Sequence, residues 1–221
     1  MNLELAALVR KYDPDRYFCA LFAPEAKRDT LLALYAFDCE LARARMVAST
    51  PLLTLIRLQW WREVVEGEEK RHEVATPLFA ELAAGRLDRA ECLRMIEGRE
   101  MEADDIPDMA AFEKYCLQAH GSVMAAAGKA LGISEVEALR RLGAGCGAVW
   151  AMRKRRQWVP EGDLPGLAKQ WLATGVTERR SAAVLPAVLA SRDLQHPDRP
   201  RLVWDQLAVV RRAWWGIGET G

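Results

Sequence analysis

At 221 residues the chain suits one large domain or two small ones, and 51% hydrophobic content leaves ample material for a core. Lysine plus arginine equals aspartate plus glutamate at 31 each, so no overall field recruits nucleic acid or repels a membrane, and any electrostatic partner must be met locally. Five dispersed cysteines read as reduced thiols rather than a disulfide framework or zinc site; no signal peptide and no apolar run of ~18 residues appears, so a cytoplasmic protein of bacterial type is expected.

The first helix is predicted over Leu3–Tyr12, and Asp13-Pro14 restarts the chain in helical form through Tyr17 and Leu21. Pro24 opens the longest helix, where Leu31, Leu34, Tyr35, Asp38, Leu41, Ala42 and Arg45 share one face that begins apolar and ends polar. Ser49 or Thr50 caps the next helix, with Pro51 at its first position and Gly67 near its end. There Leu53, Ile56, Trp60 and Val64 form the expected inner stripe, with Arg57, Trp61 and Arg62 beside it. The charged stretch 66–72 reads as a loop. Thr76-Pro77 starts a short helix closed by Gly85, and Asp88 with Glu91 resembles a capping box for a helix over 89–103.

Asp108 caps a helix to about Leu131, stopped by Gly132, and Ser134 with Glu137 starts another over 135–152. Gly143, Gly145 and Gly147 inside it imply either close backbone approach to a neighbour, the preferred reading, or a local break, since glycine otherwise weakens a helix. Residues 157–166 form an internal linker. After it come a short helix near 168–173, a longer one over 177–194 kinked by Pro186, and an amphipathic helix over 201–215. Without β-alternation or internal repeats, the chain is expected to be all-α, a single helical domain over 1–221.

Chemistry-bearing residues are sparse. His72, His120 and His196 lack partners at metal spacing, and His120 reads as a hydrogen-bonded core histidine. The basic run Arg153-Lys154-Arg155-Arg156 suits a helix C-terminus, with contact to anionic lipid as the alternative. The acidic candidates are Asp38 with Glu40, and Glu100, Glu102, Asp104 and Asp105. Magnesium chemistry on a diphosphate needs several carboxylates converging on one cavity. Asp38 and Glu40, two residues apart on a helix, cannot both face inward.

Taken in order, several segments resemble the squalene/phytoene synthase family over roughly residues 17–160. They are Pro24-Glu25-Ala26-Lys27-Arg28 with Ala33-Leu34-Tyr35-Ala36-Phe37, Ile96-Glu97-Gly98-Arg99-Glu100-Met101-Glu102, Tyr115-Cys116 with His120-Gly121-Ser122-Val123, and Trp158-Val159-Pro160. The resemblance implies an isoprenoid-synthase-like helical bundle, shortened at its C-terminus. In that family two aspartate-rich motifs hold magnesium. The corresponding positions here read Ala42-Arg43-Ala44-Arg45-Met46 and Trp150-Ala151-Met152-Arg153-Lys154-Arg155-Arg156. Guanidinium groups in place of carboxylates reverse the sign of the field that gathers metal ions.

Glu40-Leu41-Ala42-Arg43, the Ser49-Thr50-Pro51 break and above all Gln59-Trp60-Trp61-Arg62-Glu63 resemble a branch of the same superfamily typified by an assembly factor for respiratory complex I. That resemblance implies a non-catalytic assembly or scaffold factor with no metal cofactor, peripheral at the inner membrane face. It would use Arg43, Arg45, Arg57, Trp60, Trp61 and Arg62 at the rim of an inherited groove to bind a protein partner, such as a respiratory-complex subunit, or a lipid. Arg99 is a further candidate for partner or diphosphate binding. The alternative is an isoprenyl diphosphate transferase in which Asp38 with Glu100 or Glu102 holds Mg²⁺, and a second alternative is a structural helical module.

Overall fold

The computed structural model describes residues 1–154, 159–200 and 202–215, and among these every regular element is a helix. The chain begins with α1 (Leu3–Tyr12), α2 (Pro14–Ala20), α3 (Glu25–Val47), α4 (Pro51–Glu66), α5 (Ala75–Ala83) and α6 (Arg89–Glu100). Then come α7 (Met109–Tyr115), a π-helical turn (Cys116–Gly121), α8 (Ser122–Ala130), α9 (Val136–Lys154), α10 (Leu164–Leu172), α11 (Pro186–Gln195) and α12 (Val203–Trp215).

Short polar side chains start these helices as the sequence predicts. Asp13 accepts from the Arg16 amide at 2.9 Å, Thr50 from Leu53 at 3.3 Å, Asp88 from Glu91 at 2.9 Å and Asp108 from Ala111 at 2.8 Å. The box at Asp88 is only half made. The Glu91 carboxylate turns away from the helix start to bind Arg94 and, across to α9, Arg140. Gly67 and Gly132 end α4 and α8 at φ 123° and 84°, a conformation costly for residues with a Cβ.

The middle of α3 is buried without interruption from Thr30 to Cys39, with α1, α2, α4, α5, α6 and α8 around it. This is the axis of the larger core. A second core gathers Phe112, Tyr115, Ala119, Ala148 and Trp171 where the π-helical turn, α9 and α10 meet. Glycines let the layers close: a Cβ on Gly147 would lie 2.5 Å from the His120 ring, and one on Gly98 would lie 2.3 Å from the Ala119 amide nitrogen. Because the Gly98 neighbour is backbone, Gly98→Ala should cost about 1–3 kcal/mol, read as a lower midpoint in urea with little change in slope.

Four expectations are corrected. In α4 the buried residues are Thr54, Leu58, Trp61, Val64 and Val65, whereas Leu53 and Ile56 are exposed and Trp60 is half-buried. The helix is apolar nearly all round, so periodicity could not choose its inner face. Pro186 starts α11 instead of kinking a longer helix, because its missing N–H is tolerated in the first turn. Residues 177–185 form bends and turns ahead of α11. The expected rod after Asp108 contains a π-helical turn, and the expected linker ends early, since Asp163 caps α10 at Leu164. Residues 157 and 158, like Arg155 and Arg156 of the basic run and Arg201, lie outside the described residues.

Candidate functional site

Asp38 projects from the buried middle of α3 and meets two arginines. Arg99 Nη2, from the end of α6, donates to its Oδ1 at 2.9 Å, and Arg16 Nη1, from α2, donates to its Oδ2 at 2.5 Å. Arg99 Nη1 also donates to Glu102 Oε1 at 2.7 Å, so one guanidinium stands between two carboxylates. Arg99, Asp38 and Glu102 are all buried. Burial opposes charge on Asp38, but Arg99 and then Arg16 more than offset it and hold its carboxyl well below the usual carboxylate range.

The π-helical turn completes the cluster. It brings Tyr115 and His120, five residues apart, to 3.1 Å between Oη and Nε2. The Tyr115 hydroxyl donates to Glu102 Oε1 at 2.5 Å, which leaves its lone pairs to accept from His120 Nε2–H and, at 3.4 Å, from Arg99. Burial, reinforced by the nearby Arg99 charge, pushes the His120 pKa well below its ordinary value and keeps the imidazole neutral. Burial, then the Glu102 carboxylate, pushes the Tyr115 phenol up.

The void beside this cluster, lined by Arg16, Tyr35, His120, Met124, Cys146 and Pro186 among others, measures about 10 Å³. That is room for about one water molecule. A site for a ligand of ordinary size takes roughly 300–1,000 Å³. Beside the Asp38 cluster the bundle is therefore filled by its own side chains.

A sequence profile of the squalene/phytoene synthase family matches residues 9–196. The chain belongs to that family. Solved structures agree on the fold: a dehydrosqualene synthase in complex with ligand superposes with a TM-score of 0.74 at 14% identity, covering 95% of this chain and 93% of that one. Squalene synthase HpnC from Alicyclobacillus acidocaldarius gives 0.60 at 15% identity, covering 95% and 89%. In sequence, this family member is similar to NADH dehydrogenase (ubiquinone) complex I, assembly factor 6. Identity is 29% over 143 residues with the Mus musculus protein (62% of this chain, 43% of that protein) and 28% over 137 residues with the Homo sapiens protein (59% and 41%). The chain thus spans about two-fifths of the length of these curated relatives.

The remaining sequence candidates disperse within this synthase fold. Glu100 pairs with Arg62 at 2.7 Å, away from the Asp38 cluster. Arg43 binds Glu40 and lies over the Tyr12 ring, and Arg45 donates to the Glu102 backbone carbonyl. Two of the binding candidates are interior. Arg99, the further candidate for partner or diphosphate binding, is held between carboxylates, and Trp61, expected at the rim, is 5% exposed with its ring centroid 5.5 Å from Phe37 and 4.9 Å from Trp60. Arg57 is exposed as expected. Arg153 ends α9 and pairs with Asp193.

Two features escaped the sequence. Arg16 lies 22 residues from Asp38, with no local pattern to link them. The tip where α3 turns into α4 exposes Met46, Val47, Leu52, Leu53, Leu55 and Ile56 together; its signal was the run Pro51–Ile56, with a single polar residue, Thr54.

Proposed function

We propose that this chain is a non-catalytic member of the synthase family, an assembly or scaffold factor that engages a protein partner of the respiratory membrane at its cytoplasmic face. The observation that carries it is the ion-paired cluster around Asp38, with room beside it for about one water molecule. Asp38 and Glu102 spend their charge on Arg99, and Arg16 is shared between Asp38 and Asp13, 3.2 Å from the latter. Each of these acids is paired with a guanidinium and each guanidinium with an acid, unlike the open set of carboxylates that takes magnesium or the unpaired cations that take a diphosphate. At the positions of the first magnesium motif, Arg43 and Arg45 bind Glu40 and a backbone carbonyl, so the donor set does not fit the ion. No helix among the described residues is long and apolar enough to cross a membrane.

The working surface in this reading is the α3–α4 tip. Six exposed apolar side chains beside exposed Arg57 match an interface centre with a cationic anchor. The similarity to complex I assembly factors supplies the class of partner. In the test, tagged protein is incubated with detergent-solubilised respiratory membranes and the captured subunits are identified. Leu53→Glu with Ile56→Glu should lower capture of complex I subunits by about tenfold or more while leaving the thermal midpoint nearly unchanged, because both side chains already face solvent. Undiminished capture would reject the tip. Release of pyrophosphate from farnesyl diphosphate and Mg²⁺, abolished by Asp38→Ala, would reject the non-catalytic reading.

A further inference from the structure

A cavity of about 320 Å³ lies between α9, α10, α11 and α12. It falls in the size range of small-molecule sites, roughly 300–1,000 Å³. Arg179, Arg192, Arg211 and Arg212 line it, and no carboxylate does among the described residues. Its floor is apolar, with Leu172, Val184 and Val188. The nearest acid of α12, Asp205, is buried and already committed to Arg192 at 2.7 Å and Arg199 at 2.6 Å. Arg211 and Arg212 have no ion-pair partner among the described residues, and the Nε of Arg212 is buried with no hydrogen-bond acceptor. A buried guanidinium N–H without an acceptor is costly, and an anionic oxygen would satisfy it.

The rim of the cavity continues onto the outer face of α12, where Trp204 and Trp214 are each 68% exposed and Leu207 and Trp215 are also uncovered. Tryptophan beside arginine on an amphipathic helix is the composition that lies in the headgroup layer of a bilayer. We propose that this cavity binds the phosphate of an anionic phospholipid, with the arginines around the headgroup, the apolar floor under the first methylenes, and the α12 tryptophans in the bilayer interface. This deepens the membrane-side placement proposed above, but it is built from α9–α12 and not from the α3–α4 tip, and its test contains no protein partner.

The experiment uses the full chain and two lipid probes, vesicles of phosphatidylglycerol or phosphatidylcholine in flotation and soluble dihexanoyl phosphatidylglycerol in calorimetry, with inorganic phosphate as the free-anion arm. Phosphatidylglycerol vesicles and the short-chain lipid should bind, and phosphatidylcholine vesicles should not. Arg211→Gln with Arg212→Gln should weaken both interactions by about tenfold or more at unchanged circular dichroism. Arg211→Gln alone, at an exposed position, should show a smaller loss in the same direction. Equal binding by the variants overturns the site, and inorganic phosphate binding as tightly as the short-chain lipid overturns its assignment to a lipid.

Discussion

Arg99→Leu is expected to lower folding stability by about 3–5 kcal/mol, measured by urea denaturation at neutral pH. The loss would not come from the missing attraction alone. Asp38 and Glu102 would be left in the interior with one guanidinium fewer, and an uncompensated buried acid costs more than a pair gains. Arg99→Leu combined with Asp38→Asn and Glu102→Gln should therefore recover much of the loss, an outcome that simple removal of packing would not give. The same cluster sets an acid dependence. The Asp38 pKa is depressed in the folded chain, so its contribution is fully present above the unfolded carboxylate value near 4 and disappears as pH falls below it. In Asp38→Asn the stability should fall less steeply between about pH 5 and pH 2.

Trp61→Ala is expected to cost about 3–5 kcal/mol, because the indole is enclosed by Phe37, Trp60 and His72 and the helix backbone cannot collapse into the space. Differential scanning calorimetry is the measurement. A fall in midpoint with any loss of partner capture following the folded fraction places Trp61 in the core. A normal midpoint with lost capture would return it to the interface. Neighbouring Trp60 is half-buried and under Lys70, so Trp60→Ala should cost less in the same scan.

The helices and their starts were legible in the chain because the physics there is local. Asp13, Thr50, Asp88 and Asp108 each satisfy amide groups two or three residues ahead, and such signals survive whatever packs around them. The glycines of α9 announced close packing for a similar reason: without a Cβ they weaken a helix unless a neighbour occupies the space, and at Gly147 the neighbour is His120. Asp38 could be placed on the inner face of α3 from its spacing to Leu34, Leu41 and Arg45. The family resemblance read from Tyr35-Ala36-Phe37 and its companions holds over residues 9–196.

Spacing along the chain ceased to inform where the choice of partner began. Arg99 lies 61 residues from Asp38, and the sequence alone offers it as a candidate for partner or diphosphate binding rather than as the counter-ion of a buried acid. The face of α4 was misjudged because Leu53 and Ile56 are as apolar as Leu58 and Trp61; only the position of α3 and α6 decided which pair was covered. The one-residue widening at Cys116–Gly121, which joins Tyr115 to His120, had no hydrophobic signature of its own.

Composition, caps and periodicity were thus enough to make this an all-helical chain with Asp38 turned inward, since each is an energy shared among residues a few positions apart; the synthase family was visible only as a resemblance carried by motifs such as Tyr35-Ala36-Phe37. Whether that aspartate meets a metal or a guanidinium, and which apolar stripe is left for a partner, arose only when distant helices assembled, because charge compensation and coverage of surface are set by neighbours in space.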